Sequence, residues 1–324
     1  MERSSAVGPP PADFAGMLAI LGGLGAAICW ATSSLASARA SRMIGAWATL
    51  GWVMLIGTLV AVPATILGGA GADLTPTALQ LLGISAVGNV VGLLLAYTAF
   101  QGGKVAVIAP ILSTEGAMGA VISIVFGEQV GLAAAVVLTT IALGIVLASA
   151  GSADEPLVAE PGGLPLQRAP ASLPTTTGAR AEPGHPSRRT TLLALAAVLF
   201  FGANLYASAR IGATLPIVWT LLPARLAGFL FVGLPLLATG RLRLSRPAVP
   251  FVIVVAVAEL VGTVVYALGA RDGIAVAAVT SSQFGAIAAV VSVVAFGERL
   301  RRRQVAGVVV IAIGVGLLAA LQST

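Results

Sequence analysis

The sequence is short of nearly everything that a soluble enzyme uses. Of 324 residues only 9% are charged, with 12 acidic against 18 basic side chains, and aromatics make up 5%. There is one cysteine, Cys29, and one histidine, His185. A single cysteine excludes an intrachain disulfide. One cysteine with one histidine leaves no ordinary zinc or haem ligand set, so no metal and no cofactor is expected. No nucleophile–base constellation and no phosphate loop stands out. Gly22-Gly23-Leu24-Gly25 falls inside an apolar run, where a helix rather than a nucleotide-binding loop is predicted. The absences point away from catalysis. Nor does the net charge of +6 point to nucleic acid, because the basic residues sit in short loops between apolar runs, the pattern that orients membrane proteins.

What the chain does have is apolar length. It is 58% hydrophobic with 39 glycines, and its mean hydropathy is +1.01. A soluble fold could not hide that much apolar surface behind so few charges, whereas membrane helices use small residues to approach one another closely. A spanning helix needs ~20 apolar residues. Ten such runs can be drawn, at 14–38, 44–67, 77–99, 105–126, 130–149, 190–210, 216–239, 248–270, 274–296 and 304–321. Residues 1–13 are polar and proline-rich and read as a disordered tail. Residues 151–189, rich in Pro, Ala and Gly, read as a flexible linker. The first run ends in Ala36-Ser37-Ala38, which resembles a signal-peptidase site. Cleavage is not expected, because the run is long for a signal sequence and Ala-Ser-Ala-Arg returns mid-chain at Ala207–Arg210.

That return is part of a larger echo. The fourth run closes with Ile122-Ser123-Ile124-Val125-Phe126-Gly127-Glu128, and 170 residues later Phe296-Gly297-Glu298 closes the ninth. Leu35–Arg39 matches Tyr206–Arg210, Trp47 matches Trp219, Pro63 matches Pro235, Asn89 matches Glu259 and Gly103 matches Gly273. The fold class that follows is all-α and integral to the membrane, with ten transmembrane helices in two five-helix repeats, 14–150 and 190–321. Five is odd, so the second copy enters the bilayer from the opposite side, an inverted repeat. One set of loops carries 14 of the 18 basic residues and the other set 3, with Arg225 inside a run. The bias places the linker in the cytoplasm and both termini outside the cell membrane.

A charge near the bilayer centre costs a few kcal/mol and is a functional hypothesis by default. Glu115, Arg225 and Glu259 are such charges. A carboxylate that exchanges an apolar surrounding for an arginine partner changes its proton affinity, which makes Glu115 and Glu259 candidates for proton coupling. Asn89 and Glu259 are each flanked by small residues four apart, Gly88 with Gly92 and Ala258 with Gly262. The third and eighth helices are therefore expected to cross each other at the centre. Ser33 with Ser37, and Asn204 with Ser208, are pairs four apart on one helical face. Tyr206 stands about 100° per residue off that face. Tyr97, Tyr266 and Gln283 are further candidates to line a cavity, and Pro110, Pro223, Pro63 and Pro235 are expected to kink their helices. Glu128 and Glu298 stand at the turns into the fifth and tenth runs, where a carboxylate caps a helix N-terminus.

Ten helices as two five-helix units, each closing its fourth helix with Phe-Gly-Glu, resemble the drug/metabolite transporter superfamily, EamA type, over residues 14–149 and 190–321. In that family the second helix of a repeat often carries an arginine, matched by Arg225, with Val53 in the first repeat. The fourth helix often carries a glutamate followed by a proline. Glu115 matches the glutamate, Gly116 replaces the proline, and Gln283 stands near that place in the second repeat. The resemblance implies a small-molecule permease with a central cavity between the halves, and termini that are commonly cytoplasmic. Family substrates include amino acids, nucleotide sugars, phosphorylated sugars and drugs.

The reading that results is a secondary transporter. It would export a small polar or amphiphilic metabolite by alternating access around Ser33, Asn89, Tyr97, Glu115, Asn204, Tyr206, Arg225, Glu259, Tyr266 and Gln283. Its partners are a small-molecule substrate and the lipid bilayer, with no nucleic acid. Both charge signs at the centre favour a zwitterion. The alternatives are a translocase of a lipid-linked carrier, with Arg299–Arg303 as its basic patch, and a membrane scaffold that transports nothing.

Overall fold

An apolar run in a bilayer must satisfy its own backbone hydrogen bonds, and a helix does so within one segment. The protein is described by a computed structural model that covers residues 12–69, 71–103, 105–150 and 188–296, with scattered positions between 306 and 317. Most of the N-terminal tail and linker, Lys104, Gly297, Glu298, the Arg299–Arg303 cluster and most of the tenth run lie outside the described residues. Among the described residues the regular elements are all helical. The first half comprises α1 (Ala12–Ile44), α2 (Ala46–Gly68), α3 (Pro76–Gly102), α4 (Val105–Leu112), α5 (Glu115–Val125) and α6 (Leu132–Ala150). The second begins with α7 (Arg188–Thr214). Next come a 3-10 turn (Ile217–Thr220), α8 (Leu222–Gly228), a π-helical segment (Phe229–Gly233) and α9 (Leu234–Ala238). It continues with α10 (Val249–Gly269), α11 (Ile274–Ser281) and α12 (Phe284–Phe296).

Among the described residues, seven stretches are long and apolar enough to cross a membrane: the first four expected runs and the sixth, seventh and eighth. The fifth run is helical over 19 residues as α6, and the ninth is divided between α11 and α12. The fourth run is divided too. The proline at 110 alone does not set the place, because the helix continues to Leu112. Two hydroxyls follow: Ser113 donates to the Pro110 carbonyl at 2.7 Å and Thr114 to the Ile111 carbonyl at 2.8 Å. Such local bonds offer the backbone an alternative to the helical ladder. The ninth run breaks at the equivalent place, where Ser281 and Ser282 both donate to the Ala278 carbonyl at 2.9 Å.

Equivalent helices of the two halves meet antiparallel. Along α2, Gly51 faces Gly233, Gly57 faces Arg225 and Gly69 faces Trp219, so the partner's numbering falls as that of α2 rises. The broken helices cross in the same sense, α5 against α11 and α4 against α12. Their crossing is reciprocal: Gly116 approaches Ala278 and Ser282, and Gly285 approaches Ala109 and Ser113. The most extensive contacts also join the halves, α1 with α10 and α3 with α7. The expected crossing of the third and eighth helices does not form. Gly88 and Gly92 lie against Phe200, Phe201 and Asn204 on α7, and Gly262 lies against Cys29 and Trp30 on α1. Small residues permit a close approach without specifying the partner.

The Phe-Gly-Glu ending gains a physical explanation. Gly127 has φ of 98°, a conformation that costs a side chain dearly. Around it Gly127 N–H donates to Ile124 O and Glu128 N–H to Ser123 O, each at 3.0 Å. The pair of bonds is a Schellman ending of α5. The turn aims Glu128 at the other half, where its two carboxylate oxygens each lie 3.1 Å from the Ala275 N–H in the first turn of α11. Glu128 therefore does cap a helix N-terminus, but that of α11 rather than of its own following helix. Glu298 lies outside the described residues.

Candidate functional site

The helix pairs converge on a narrow cavity of about 50 Å³, room for only a few water molecules. α1 contributes Trp30, Ser33, Ser34 and Ser37, α3 contributes Asn89, Tyr97 and Phe100, and α5 contributes Glu115. From the second half come Phe201 and Asn204 on α7, Glu259 and Thr263 on α10, and Phe284 on α12. Both carboxylates are buried, Glu115 at 6% and Glu259 at 7% exposure.

Their surroundings differ. Glu259 accepts a hydrogen bond from the Ser33 hydroxyl at 2.7 Å and stands 3.7 Å from a guanidinium nitrogen of Arg225. Arg225 lies behind Glu259 and is not part of the cavity wall. Its stem rests on Gly57, where a Cβ would come within 2.6 Å of the arginine Cδ. One nitrogen lies 3.8 Å from the Met54 sulfur, and its Nε has no hydrogen-bond partner among the described residues. Glu115 has neither an ion pair nor a hydrogen bond among the described residues. With both carboxylates ionised, these three groups sum to −1.

Asn204 is tethered, its amide oxygen accepting from Ser85 at 3.0 Å and Ser208 at 3.3 Å. Asn89 Oδ1 and the Tyr97 hydroxyl are buried without a hydrogen-bond partner among the described residues, and both residues line the cavity.

Of the ten residues read from the sequence, Ser33, Asn89, Tyr97, Glu115, Asn204 and Glu259 are brought together on one cavity wall. Four are not. Arg225 is one layer back. Tyr266 packs on Trp30 with ring centroids 5.7 Å apart and donates its hydroxyl to the Leu205 carbonyl at 3.1 Å. Gln283 is at the break between α11 and α12, bonding the Val279 carbonyl at 3.3 Å. Tyr206 stacks on Phe126 at 5.1 Å in a separate cleft with Glu128, Arg210, Arg271 and Asp272. Its position off the Asn204 face puts it there. Sequence reasoning missed Ser85 and the phenylalanines of the aromatic wall, Phe100, Phe201 and Phe284. Two signals were available. Ser85 stands four residues before Asn89 on the same face, and Phe284 is the repeat counterpart of Glu115, at the first residue after the break.

Residues 17–150 and 188–320 each match the EamA-like transporter family. The chain belongs to that family. This EamA-like protein also superposes on a crystal structure described only as that of a protein, with a TM-score of 0.64 at 16% identity. The superposition covers 94% of this chain and 99% of the other, and at that identity it bears on the fold alone. No curated protein matches the sequence. The family places the EamA-like chain among multi-pass membrane transporters of the drug/metabolite type, for which the bilayer and a small-molecule substrate are the natural partners.

Proposed function

We propose that this chain is a secondary transporter that exports a small polar or amphiphilic metabolite by alternating access around the central cavity. Ten spans form two inverted five-helix repeats in the cell membrane, with the linker 151–189 cytoplasmic and both termini outside. The antiparallel meeting of equivalent helices supports the inversion. The observation that carries the function is the cavity itself. It is walled by both halves, closed to about 50 Å³, and holds two buried carboxylates and two unpartnered polar groups. A site built at the interface of two repeats changes its access when one repeat rocks against the other.

Glu115 and Glu259 are the candidates for carrying a coupling proton. Glu115 is the stronger, since Glu259 already has Arg225 and Ser33 as partners. The test uses proteoliposomes loaded with a cellular metabolite extract. Mass spectrometry should detect efflux of some component that requires the protein and saturates with concentration, and Glu115→Gln should abolish its dependence on a pH gradient. Efflux no faster than from protein-free liposomes would sink the transporter reading. An unchanged pH dependence in both Glu115→Gln and Glu259→Gln would remove proton coupling alone.

A further inference from the structure

We infer that the central cavity selects an organic cation, a protonated or quaternary amine, rather than a zwitterion or an anion. The inference rests on the transporter reading and narrows its substrate class. Four observations converge on it. Arg225 is the one cation among the described residues near the centre, and it is occupied by Glu259 and withdrawn from the cavity wall. A substrate carboxylate entering the cavity therefore meets two carboxylates and no exposed guanidinium. Glu115 and Glu259 both line the cavity, and with both ionised the three buried groups leave a deficit of one positive charge. A buried charge without compensation is costly in a low-dielectric interior, and a monovalent cation removes that cost.

The third observation is independent of the carboxylates. Asn89 and Tyr97, at 6% and 1% exposure, line the same space and carry buried oxygens with no hydrogen-bond partner among the described residues. Such oxygens accept hydrogen bonds from an N–H donor. Finally, the remainder of the wall is aromatic, with Trp30, Phe100, Phe201 and Phe284 beside Tyr97. Aromatic faces attract ammonium groups, most strongly where water is excluded. A carboxylate, two neutral acceptors and an aromatic enclosure recognise one chemical type. An anion would find neutral donors there, the Ser34 and Tyr97 hydroxyls, the Trp30 indole N–H and the amide nitrogens of Asn89 and Asn204, but no cation to balance its charge, and Ser33 is already committed to Glu259.

The test is thermal stabilisation of the purified full-length protein at neutral pH by three matched pairs of probes. Methylamine and 2-phenylethylamine are cations, glycine and phenylalanine zwitterions, acetate and phenylacetate anions. At least one amine should raise Tm in a concentration-dependent manner, as mass action requires, while its zwitterionic and anionic counterparts should not. Glu115→Gln should weaken the apparent affinity for that amine by at least tenfold. Asn89→Leu, which leaves every charge in place, should weaken it several-fold and keeps the test open if Glu115→Gln is poorly behaved. Stabilisation by phenylalanine or phenylacetate equal to that by 2-phenylethylamine would overturn the cation assignment. So would an amine affinity unchanged in Glu115→Gln, or no response to either amine. In each of these outcomes the metabolite-efflux experiment still decides separately whether the protein is a transporter.

Discussion

Among the described residues Arg225 is the largest side chain to be fully buried, and a guanidinium there is tolerable because Glu259 stands 3.7 Å away. Removing one partner of such a pair strands the other charge, at a cost of about 3–5 kcal/mol, whereas replacing both with apolar groups of similar volume is often neutral. Arg225→Ala should therefore lower the unfolding temperature sharply. The double variant Arg225→Met with Glu259→Leu should recover most of the loss. If the double variant is no more stable than the single one, the pair is not what holds α8 to α10. Glu115→Gln should behave in the opposite way, preserving or raising stability, since no partner of Glu115 is lost. At this scale the sequence was informative, because a polar residue in an apolar run announces itself. It could not show depth. Whether Arg225 faces the cavity or stands behind Glu259 depends on α2 and on Gly57, which approach it only in the folded bundle.

The helices themselves carry the second layer of constraint. The break at Ser113-Thr114 places Gly116 against Ala278 and Ser282, with no room for a Cβ, and so accounts for glycine where the family often has proline. Gly116→Val should overpack this crossing by about 1–3 kcal/mol. Gly285→Val should do the same from the other half. Fluorescence-detected thermal unfolding of each variant checks both, and an unaffected Gly116→Val would mean that the broken helices do not cross as described. Glu128→Ala removes the cap from α11, worth about 0.5–2 kcal/mol for a capping side chain, and the same measurement reads it. The two halves of a broken helix were not legible in a continuous apolar run, since hydropathy sums over residues and is blind to a hydroxyl that turns back on its own carbonyl. The Phe-Gly-Glu echo was legible as a repeat. That its carboxylate reaches across to the other half was not, because the helix it caps lies 147 residues away in the chain.

For the molecule as a whole, the repeat offsets pointed to two halves, and the family matches over residues 17–150 and 188–320 agree with that; the antiparallel packing of α2 on α8 supports the inversion proposed above. Partner choice was beyond the sequence. Gly88 and Gly92 announced a close contact, but α7 as its partner follows from how the helices fill space together. The basic-residue bias gives an orientation that can be checked directly. A C-terminal tag should be reached by an impermeant reagent added to intact cells, and protection of the tag until the cells are opened would reverse the assignment.

The pairing of α1 with α10 and of α3 with α7 has a consequence for how the molecule could be assembled. Each half leaves its first and third helices without their main partners until the other half arrives, so neither is a self-sufficient building block. The covalent join between them is correspondingly dispensable. Severing the chain between residues 150 and 188 and producing the two fragments together should yield a functional complex, while either fragment alone should be degraded. The molecule would then behave as a heterodimer whose subunits happen to be encoded in one reading frame.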